Sequence, residues 1–150
     1  MIVLACMCAV TAVGGVVLVA QSVQEPENLE VDYSIPFSVR QGQEFQFELV
    51  LRNTGDTAIH VDEIDLDEAF GGSILDGAVT VATQPEMTRD FSIPGIKTFI
   101  YNRRLPSEEA TTVVFNLKAV EAGEFGGSVG VWVGDRVKRL HYVSVTVLED

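Results

Sequence analysis

The chain divides into two parts that differ in their pattern of apolar and polar residues. Residues 1–20 carry no charged side chain, and every acidic or basic residue follows Gln24. Beyond residue 28, apolar and polar residues alternate with a period of two, which is typical of strands with one buried face. The pattern therefore predicts one apolar helix followed by a β-domain.

Five segments show the alternation, and turn residues such as those of 40–43, 53–56 and 121–124 separate them. Gly134-Asp135 suits a two-residue type II′ hairpin, because glycine stands at its first central position. Short strands joined by turns predict an antiparallel β-sandwich of one domain over residues 29–150. The residues predicted to face its core are Leu29, Val31, Tyr33, Ile35, Phe45, Phe47, Leu49, Leu51, Val113, Phe115, Leu117, Ala119, Val129, Val131, Val133, Val143, Val145 and Val147.

The order of turns and strands is similar to that of a known group of modules. A glycine precedes a strand at Gly42, an Asn-Thr-Gly turn follows at 53–55, a Pro-containing turn and a Thr/Val strand occupy 105–115, and a Gly-aromatic step lies at 124–127. These features resemble the extracytoplasmic immunoglobulin-like modules of prokaryotic surface proteins, in the CARDB-like and conserved-repeat group. The resemblance covers residues 29–65 and 105–147. It implies an immunoglobulin-like sandwich that serves as a spacer, an adhesive unit or a docking domain, without catalysis.

Residues 66–101 depart from that pattern. Alternation weakens there, two glycines follow Phe70, and Pro85 and Pro94 oppose pairing in a central strand. We interpret this stretch as an insertion in the sandwich. It is either a recognition surface on loops or a sheet-switching edge with a long connection.

The uncharged N-terminal segment predicts a transmembrane helix over residues 1–23, joined to the sandwich by a linker at 24–28. At 1.5 Å per residue such a helix is about 34 Å long, enough for a hydrocarbon core of about 30 Å. The alternatives are a cleaved secretory signal, whose apolar region is usually shorter and follows a positive region, and lipidation at Cys6. Ala5, Cys8, Ala12 and Gly15 place small side chains on one face of the helix, where a partner helix would pack. Membrane lipid and other transmembrane subunits are therefore the expected partners.

The orientation of the chain in the membrane and its net charge limit the functions that the sandwich could have. A short N-terminal tail left inside predicts the sandwich on the extracytoplasmic side, periplasmic or extracellular. The 22 acids and 10 bases give a net charge of −12, which argues against binding to nucleic acid. The few basic concentrations, with one aromatic of the insertion, are candidates for docking a partner, against the alternative of solvated or ion-paired side chains. These candidates are Phe70, Arg103, Arg104, Arg136, Lys138 and Arg139.

Candidate chemistry is sparse. The acidic run from Asp62 to Glu68 fails the spacing of an EF-hand, and we interpret Asp65 and Asp67 as a solvated strand face opposite Ile64 and Leu66. The two histidines, at 60 and 141, are too few for a zinc site without cysteine in the β-domain. No catalytic signature or cofactor motif occurs, and Trp132 is predicted to lie in the core.

The sequence therefore favours a non-catalytic accessory or structural subunit of a membrane protein complex, anchored by one helix. A subunit of an extracellular filament or surface layer is one alternative. A surface module that binds calcium or sugar is another.

Overall fold

The computed structural model of the protein describes residues 24–67, 78–90 and 96–150. Ten strands in two sheets account for most of them. Among these residues, no helix has the length and apolar character needed to cross a membrane. The predicted transmembrane helix over 1–23 lies outside the described residues.

The ten strands form one four-stranded and one six-stranded sheet. The four-stranded sheet has the order β1-β3-β8-β5, and the six-stranded sheet has the order β2-β10-β9-β4-β7-β6. All pairs are antiparallel except β2 with β10. The strands are β1 Leu29–Ser34, β2 Ser38–Arg40, β3 Glu44–Asn53, β4 Ile59–Asp67, β5 Ala78–Gln84, β6 Thr88–Asp90, β7 Ile96–Leu105, β8 Ala110–Ala119, β9 Gly123–Val133 and β10 Arg136–Leu148.

The first strands divide between the two sheets. β1 pairs with β3 in the four-stranded sheet, and after residues 35–37 the chain continues as β2 beside β10 in the other sheet. Two facing sheets of mostly antiparallel strands, one built from four strands and the other around the last two strands of the chain, form an immunoglobulin-like sandwich. The predicted sandwich is confirmed for the described residues.

The core lies between the sheets and contains most of the residues predicted to face it. The predicted apolar positions of β3, β8 and β10 are buried, as are Val129 and Val131 of β9. Phe115 stacks on Phe47 at 5.6 Å between ring centroids and meets Phe99 of the opposite sheet edge-on at 5.1 Å. Such aromatic pairs contribute about 0.5–1.5 kcal/mol each beyond their buried area. Tyr33 is not buried as predicted: it still pairs with Leu49 and its ring meets Phe47 edge-on at 6.5 Å, but 45% of the residue is exposed.

The predicted insertion at 66–101 contributes strands to both sheets. β5 pairs with β8 in the four-stranded sheet, whereas β7 lies between β4 and β6 in the six-stranded sheet. The chain thus changes sheets twice, which agrees with the sheet-switching alternative. Phe70 and the rest of 68–77 lie outside the described residues.

The last two strands form the hairpin that the sequence predicts. Val133 pairs with Arg136 across the loop, and Gly134 has a φ of 60°. A positive φ at the first central residue belongs to a type II′ turn and favours glycine there.

A buried asparagine joins the sheets at one end of the sandwich. The side-chain nitrogen of Asn53, which is fully buried at the end of β3, donates to the carbonyls of Thr57 at 2.8 Å, Pro106 at 2.9 Å and Leu105 at 3.2 Å. Its Oδ1 accepts from the Gly55 backbone nitrogen at 3.0 Å. Because β3 and β7 belong to different sheets, one side chain holds their ends together.

Replacing Asn53 by alanine is expected to lower the free energy of unfolding by about 2–4 kcal/mol, since buried carbonyls lose their donors. Urea unfolding followed by the fluorescence of the single tryptophan measures the change. Asn116→Ala is the control, because its side chain only accepts from Gln46 at an exposed site. Equal losses in the two variants would contradict a special role for Asn53.

Candidate functional site

The face of the six-stranded sheet that points away from the core, here termed the outer face, carries Asp65 and Arg139. In β9, Val129 and Val131 are buried in the core, so Ser128, Gly130 and Trp132 point to the outer face.

The register aligns polar residues of four neighbouring strands on this face. Gly130 pairs with Asp65 of β4 on one side and with Arg139 of β10 on the other, and Asp65 pairs with Thr98 of β7. Paired residues share a face of the sheet. One row across the outer face therefore reads Arg139, Gly130, Asp65 and Thr98.

Asp65 is the centre of a hydrogen-bond cluster. Its Oδ2 accepts from Trp132 Nε1 at 2.6 Å, and its Oδ1 accepts from Thr98 Oγ1 at 2.7 Å. Thr98 is only 6% exposed, and Asp65 and Trp132 are half-buried. Both carboxylate oxygens retain acceptor capacity, because each has a second lone pair. The cluster holds the carboxylate and the indole in fixed positions.

Gly130 makes close packing possible beside this cluster. A Cβ built on it would lie 3.1 Å from Val137 Cγ2 and 3.6 Å from Asp65 Cβ. Without a side chain there, the sheet has a small indentation lined by Asp65, Ile96, Ser128, Gly130 and Arg139.

The prediction of a core position for Trp132 is wrong. The side chain points to the outer face, because its neighbours Val131 and Val129 occupy the alternating inward positions. The predicted alternation of β9 already contained this signal, and only the general expectation of a buried aromatic opposed it. Its bond to Asp65 was not predictable, since it depends on the register of β4 against β9.

The described residues of the acidic run do not form one cluster, because Asp62 and Asp65 have different hydrogen-bond partners. Ile64 and Leu66 are fully buried, which confirms that Asp65 lies on the opposite face. Asp62 Oδ2 accepts from the Gly134 backbone nitrogen at 2.7 Å, at the β9–β10 hairpin. Within the described residues, no three His, Cys, Asp or Glu side chains form a group suited to a metal ion. The side chains of Asp67 and Glu68 lie outside the description.

The two histidines occupy distant parts of the sheet. His60 Nε2 donates to Asn102 Oδ1 at 2.7 Å and lies 3.8 Å from Asp62. His141 lies in β10 at the register shift between Leu140 and Val143. From the pairing of β4, β9 and β10, the two are roughly 20 Å apart along the strands.

The basic candidates fall into two groups on different strands. On β7, the Arg103 guanidinium lies 5.9 Å from the Tyr101 ring centroid, and Arg104 borders an open pocket. On β10, Arg136 lies beside the hairpin, Lys138 binds an acid and Arg139 lies on the outer face. The other candidates, Phe70 and the helix residues Ala5, Cys8, Ala12 and Gly15, lie outside the described residues.

Residues 24–28, predicted as a linker, contact the sandwich directly. The Val137 nitrogen donates to the Gln24 carbonyl at 3.2 Å, and Lys138 Nζ lies 2.6 Å from Glu25 Oε2. The hydrogen bond and positive charge of Lys138, together with the charge of His141, lower the pKa of Glu25. The Asn28 carbonyl accepts from the Thr54 nitrogen at 2.9 Å. We term residues 24–28 the N-terminal clasp; the sequence contained no signal for these contacts.

Comparisons with known proteins support the fold only. No protein family matches the sequence, and no curated protein matches it either. The cupredoxin domain of amoB from Nitrosocaldus yellowstonii aligns with a TM-score of 0.51 and 6% identity, covering 82% of this chain and 88% of that domain. That likeness supports the β-sandwich and carries nothing about function.

Two further solved structures align less well. A cohesin module from a family 33 glycoside hydrolase of Clostridium perfringens has a TM-score of 0.48 and 16% identity, covering 82% of this chain and 98% of that chain. A CARDB domain from Pyrococcus furiosus, in complex with di-metal ions, has a TM-score of 0.46 and 13% identity, covering 82% and 94%. At these scores neither likeness bears on the chemistry of this chain.

Replacing Asp65 by alanine is expected to destabilise the sandwich by about 1–2 kcal/mol, because Trp132 and Thr98 lose a charged acceptor at a half-buried site. It should also change the tryptophan emission spectrum of the folded protein. Denaturant unfolding and emission spectra measure both effects. Asp56→Ala, at an exposed turn residue, is the control and should change neither.

The N-terminal clasp is expected to loosen at acid pH. Since the pKa of Glu25 lies below its ordinary value of 4.5 in the folded chain, its contribution is present above that value and is lost as pH falls through the lowered pKa. Hydrogen exchange at the Val137 amide, corrected for its intrinsic rate, should show falling protection. The Thr146 amide, which donates to the Phe37 carbonyl, is the internal control.

Lys138→Met should weaken protection of the Val137 amide at neutral pH, because Glu25 then loses its hydrogen-bonded ammonium partner. Arg136→Met removes a nearby charge without touching this pair. If Val137 protection is the same in both variants, the ion pair does not hold the N-terminal clasp.

Proposed function

We propose that this protein is a non-catalytic accessory subunit of a membrane protein complex. Residues 1–23 form its single transmembrane helix, and the sandwich lies on the extracytoplasmic side as a docking domain. The uncharged character of residues 1–20 supports the anchor. The immunoglobulin-like fold supports a docking role, although such a fold serves many functions.

The N-terminal clasp is the observation that carries the proposal. The first described residues after the apolar segment are fastened to β10 and to the turn after β3. A spacer between an anchor and a freely moving domain needs no such attachment, and polar linkers usually behave as random coils. A domain held at its first residues keeps a defined position relative to its anchor. That property suits a subunit whose sandwich covers one particular surface of a complex.

If the apolar segment is in the membrane, the N-terminal clasp supports one particular end of the sandwich as the end nearer the bilayer. Gln24 lies beside Val137, close to the β9–β10 hairpin, and Asn28 lies beside Thr54 in the turn after β3. With the apolar segment in the membrane, this end is the nearer one. In this orientation the outer face points sideways, parallel to the plane of the membrane. A neighbouring extracytoplasmic domain would contact it there.

The partners within the bilayer are other transmembrane subunits. In a helix over 1–23, Ala5, Cys8, Ala12 and Gly15 share one face, and small residues permit close packing in lipid. The net charge of −12 favours basic or neutral surfaces outside the membrane over nucleic acid.

Purification of the full chain from its native membranes in a mild detergent tests the proposal. We expect other membrane proteins to co-purify in fixed ratio, as measured by quantitative mass spectrometry. The double change Ala12→Leu and Gly15→Leu should remove them, because large side chains block close helix packing. Val13→Leu with Val16→Leu is the control on other positions of the segment. Recovery of this chain alone, as monomer or homodimer, would exclude an accessory subunit.

A further inference from the structure

We infer that an open stretch of β3 is a docking site for an antiparallel strand of another protein that carries basic side chains on one face. β1 pairs with β3 only from Glu48 to Asn53. Residues 44–47 of β3 therefore have β8 on one side and, among the described residues, no strand on the other. We term this open stretch the β3 notch. The inference rests on the sandwich alone and goes beyond the proposed accessory role.

The backbone of the β3 notch offers unpaired donors and acceptors. Successive residues of an antiparallel strand direct their N–H and C=O groups to opposite sides. The Asn53 nitrogen donates to the Glu109 carbonyl, just before β8, and β3 pairs with β8 without a register shift. Counting back from Asn53, Glu44 and Gln46 direct both groups into the notch, where no backbone group of the described residues bonds to them. Three residues of an antiparallel strand would satisfy all four groups.

The notch has an apolar inner wall. β1 ends at Ser34, and after residues 35–37 the chain continues as β2 beside β10 in the other sheet. The groove left beside β3 has a volume of about 520 Å³, and Ile35, Pro36 and Phe45 line part of it. Phe45 is 7% exposed, and Ile35 packs against the core. The residue of an added strand that lies opposite Phe45 would therefore be apolar.

Carboxylates on the other face of β3 indicate the charge of the added strand. Glu44, Gln46 and Glu48 alternate with buried phenylalanines, so their side chains lie on the solvent face of the four-stranded sheet. A residue opposite Gln46 would have Glu44 and Glu48 as diagonal neighbours, and the next outward residue would lie directly opposite Glu44. Within the described residues, neither carboxylate forms an ion pair. Lysine or arginine at these two outward positions is therefore favoured.

This chain does not match that pattern itself. Residues 1–20 carry no charge, so they suit the apolar wall but not the carboxylates. The basic–apolar–basic run at 136–138 already pairs with β9. A second copy brings a net charge of −12, which opposes its approach. The occupant is therefore a different protein, with an extended segment that reads basic, apolar, basic.

The β3 notch lies at the end of the sandwich opposite the N-terminal clasp. Glu44 and Asn53, the two ends of β3, are roughly 30 Å apart, and the clasp contacts the turn that follows Asn53. If residues 1–23 are in the membrane, the notch faces away from the bilayer and a partner can reach it from solvent. This one point rests on the proposed function, whereas the backbone and charge arguments do not.

Titration with a short peptide tests the site. The probe is the acetylated and amidated peptide Thr-Lys-Val-Lys-Thr, added to the nitrogen-15-labelled full chain in a non-ionic detergent. We expect the amide resonances of Glu44 and Gln46 to shift, because their N–H groups gain acceptors. The Thr54 amide, already bonded to the Asn28 carbonyl, is the internal control. Equal shifts at Thr54, or none at Gln46 with the peptide in large excess, would overturn the inference.

Two N-methylated forms of the peptide separate strand pairing from charge attraction. Methylation of the backbone nitrogens of both lysines removes the donors that face β3, whereas methylation of the valine nitrogen removes one that points away. Both forms keep the side chains and the charge. We expect the first to lose the Gln46 shift and the second to retain it. Equal binding, or the reverse preference, would overturn the inferred antiparallel pairing.

A proline in the notch tests the same bond from the side of this chain. Gln46→Pro removes an N–H that points away from β8, so it should abolish the shift at Glu44 without disturbing the pairing of β3 with β8. Gln46→Ala is the matched control, because it also loses the side-chain bond to Asn116 but keeps the N–H. Equal binding by the two variants would overturn the inference. If Gln46→Pro does not fold by circular dichroism, the methylated peptides decide the question.

Charge variants test the basic character of the partner. Glu44→Gln and Glu48→Gln should each weaken peptide binding by about two- to fivefold, since each removes one cross-strand charge pair. Glu30→Gln is the control, because Glu30 lies on the same solvent face but beside Arg52, far from the notch. Equal losses in the three variants would show an effect of net charge alone and would overturn the inference.

Hydrogen exchange of the peptide-free full chain shows whether the notch is open. We expect the Glu44 and Gln46 amides, corrected for their intrinsic rates, to exchange much faster than the Thr54 amide. Protection equal to that of Thr54 would mean that residues 1–23 or a second copy already fill the notch. That result would overturn the inference, and it would leave the proposed accessory role untouched.

Discussion

The hydrogen bonds of the buried Asn53 side chain hold together the end of the sandwich on which the other features depend. They join the end of β3, in one sheet, to the end of β7, in the other, and they also hold the turn that connects β3 to β4. Burying an amide costs free energy unless all its hydrogen-bond partners are present. These bonds therefore favour the one arrangement of the ends of β3 and β7 in which every partner is in place. The neighbouring Thr54 nitrogen then donates to the Asn28 carbonyl, which positions the N-terminal clasp.

The side chains on the outer face are a consequence of the alternation of residues along each strand of the sandwich. A strand whose alternate residues fill the core must present the others on its far side, and β9 presents a serine, a glycine and a tryptophan there. The central position of β9 between β10 and β4 places Arg139 and Asp65 on opposite sides of Gly130. The polar row is therefore a consequence of strand order, and it stands on a rigid sheet rather than on loops. That rigidity suits a surface that must match a partner of fixed shape.

Sequence patterns predicted the strands best where one face is fully buried. Phe47, Leu49 and Leu51 in β3, with Val113 and Phe115 in β8, alternate strictly and are all fully buried. The pattern was less informative where the chain changes sheets, since β1 loses its buried face at Tyr33. Trp132 was predicted wrongly for a different reason. Large aromatic residues are commonly buried, and this general expectation was preferred to the alternation of β9, which places Trp132 on the outer face. The pairing of Asp65 with Trp132 required the register of two strands distant in sequence.

By itself, the sequence determined the β-sandwich, the last hairpin and the inward residues of its central strands, because local alternation and turn chemistry specify these directly. It also determined the separation of the uncharged segment from an acidic domain. Tertiary structure alone decided which strands are neighbours, that the insertion contributes to both sheets, and that residues 24–28 are fastened to β10. It also decided that Arg139 and Asp65 flank one glycine. The reason is physical: alternation tells which face a residue occupies, whereas strand order and register depend on contacts between distant segments that compete for the same core.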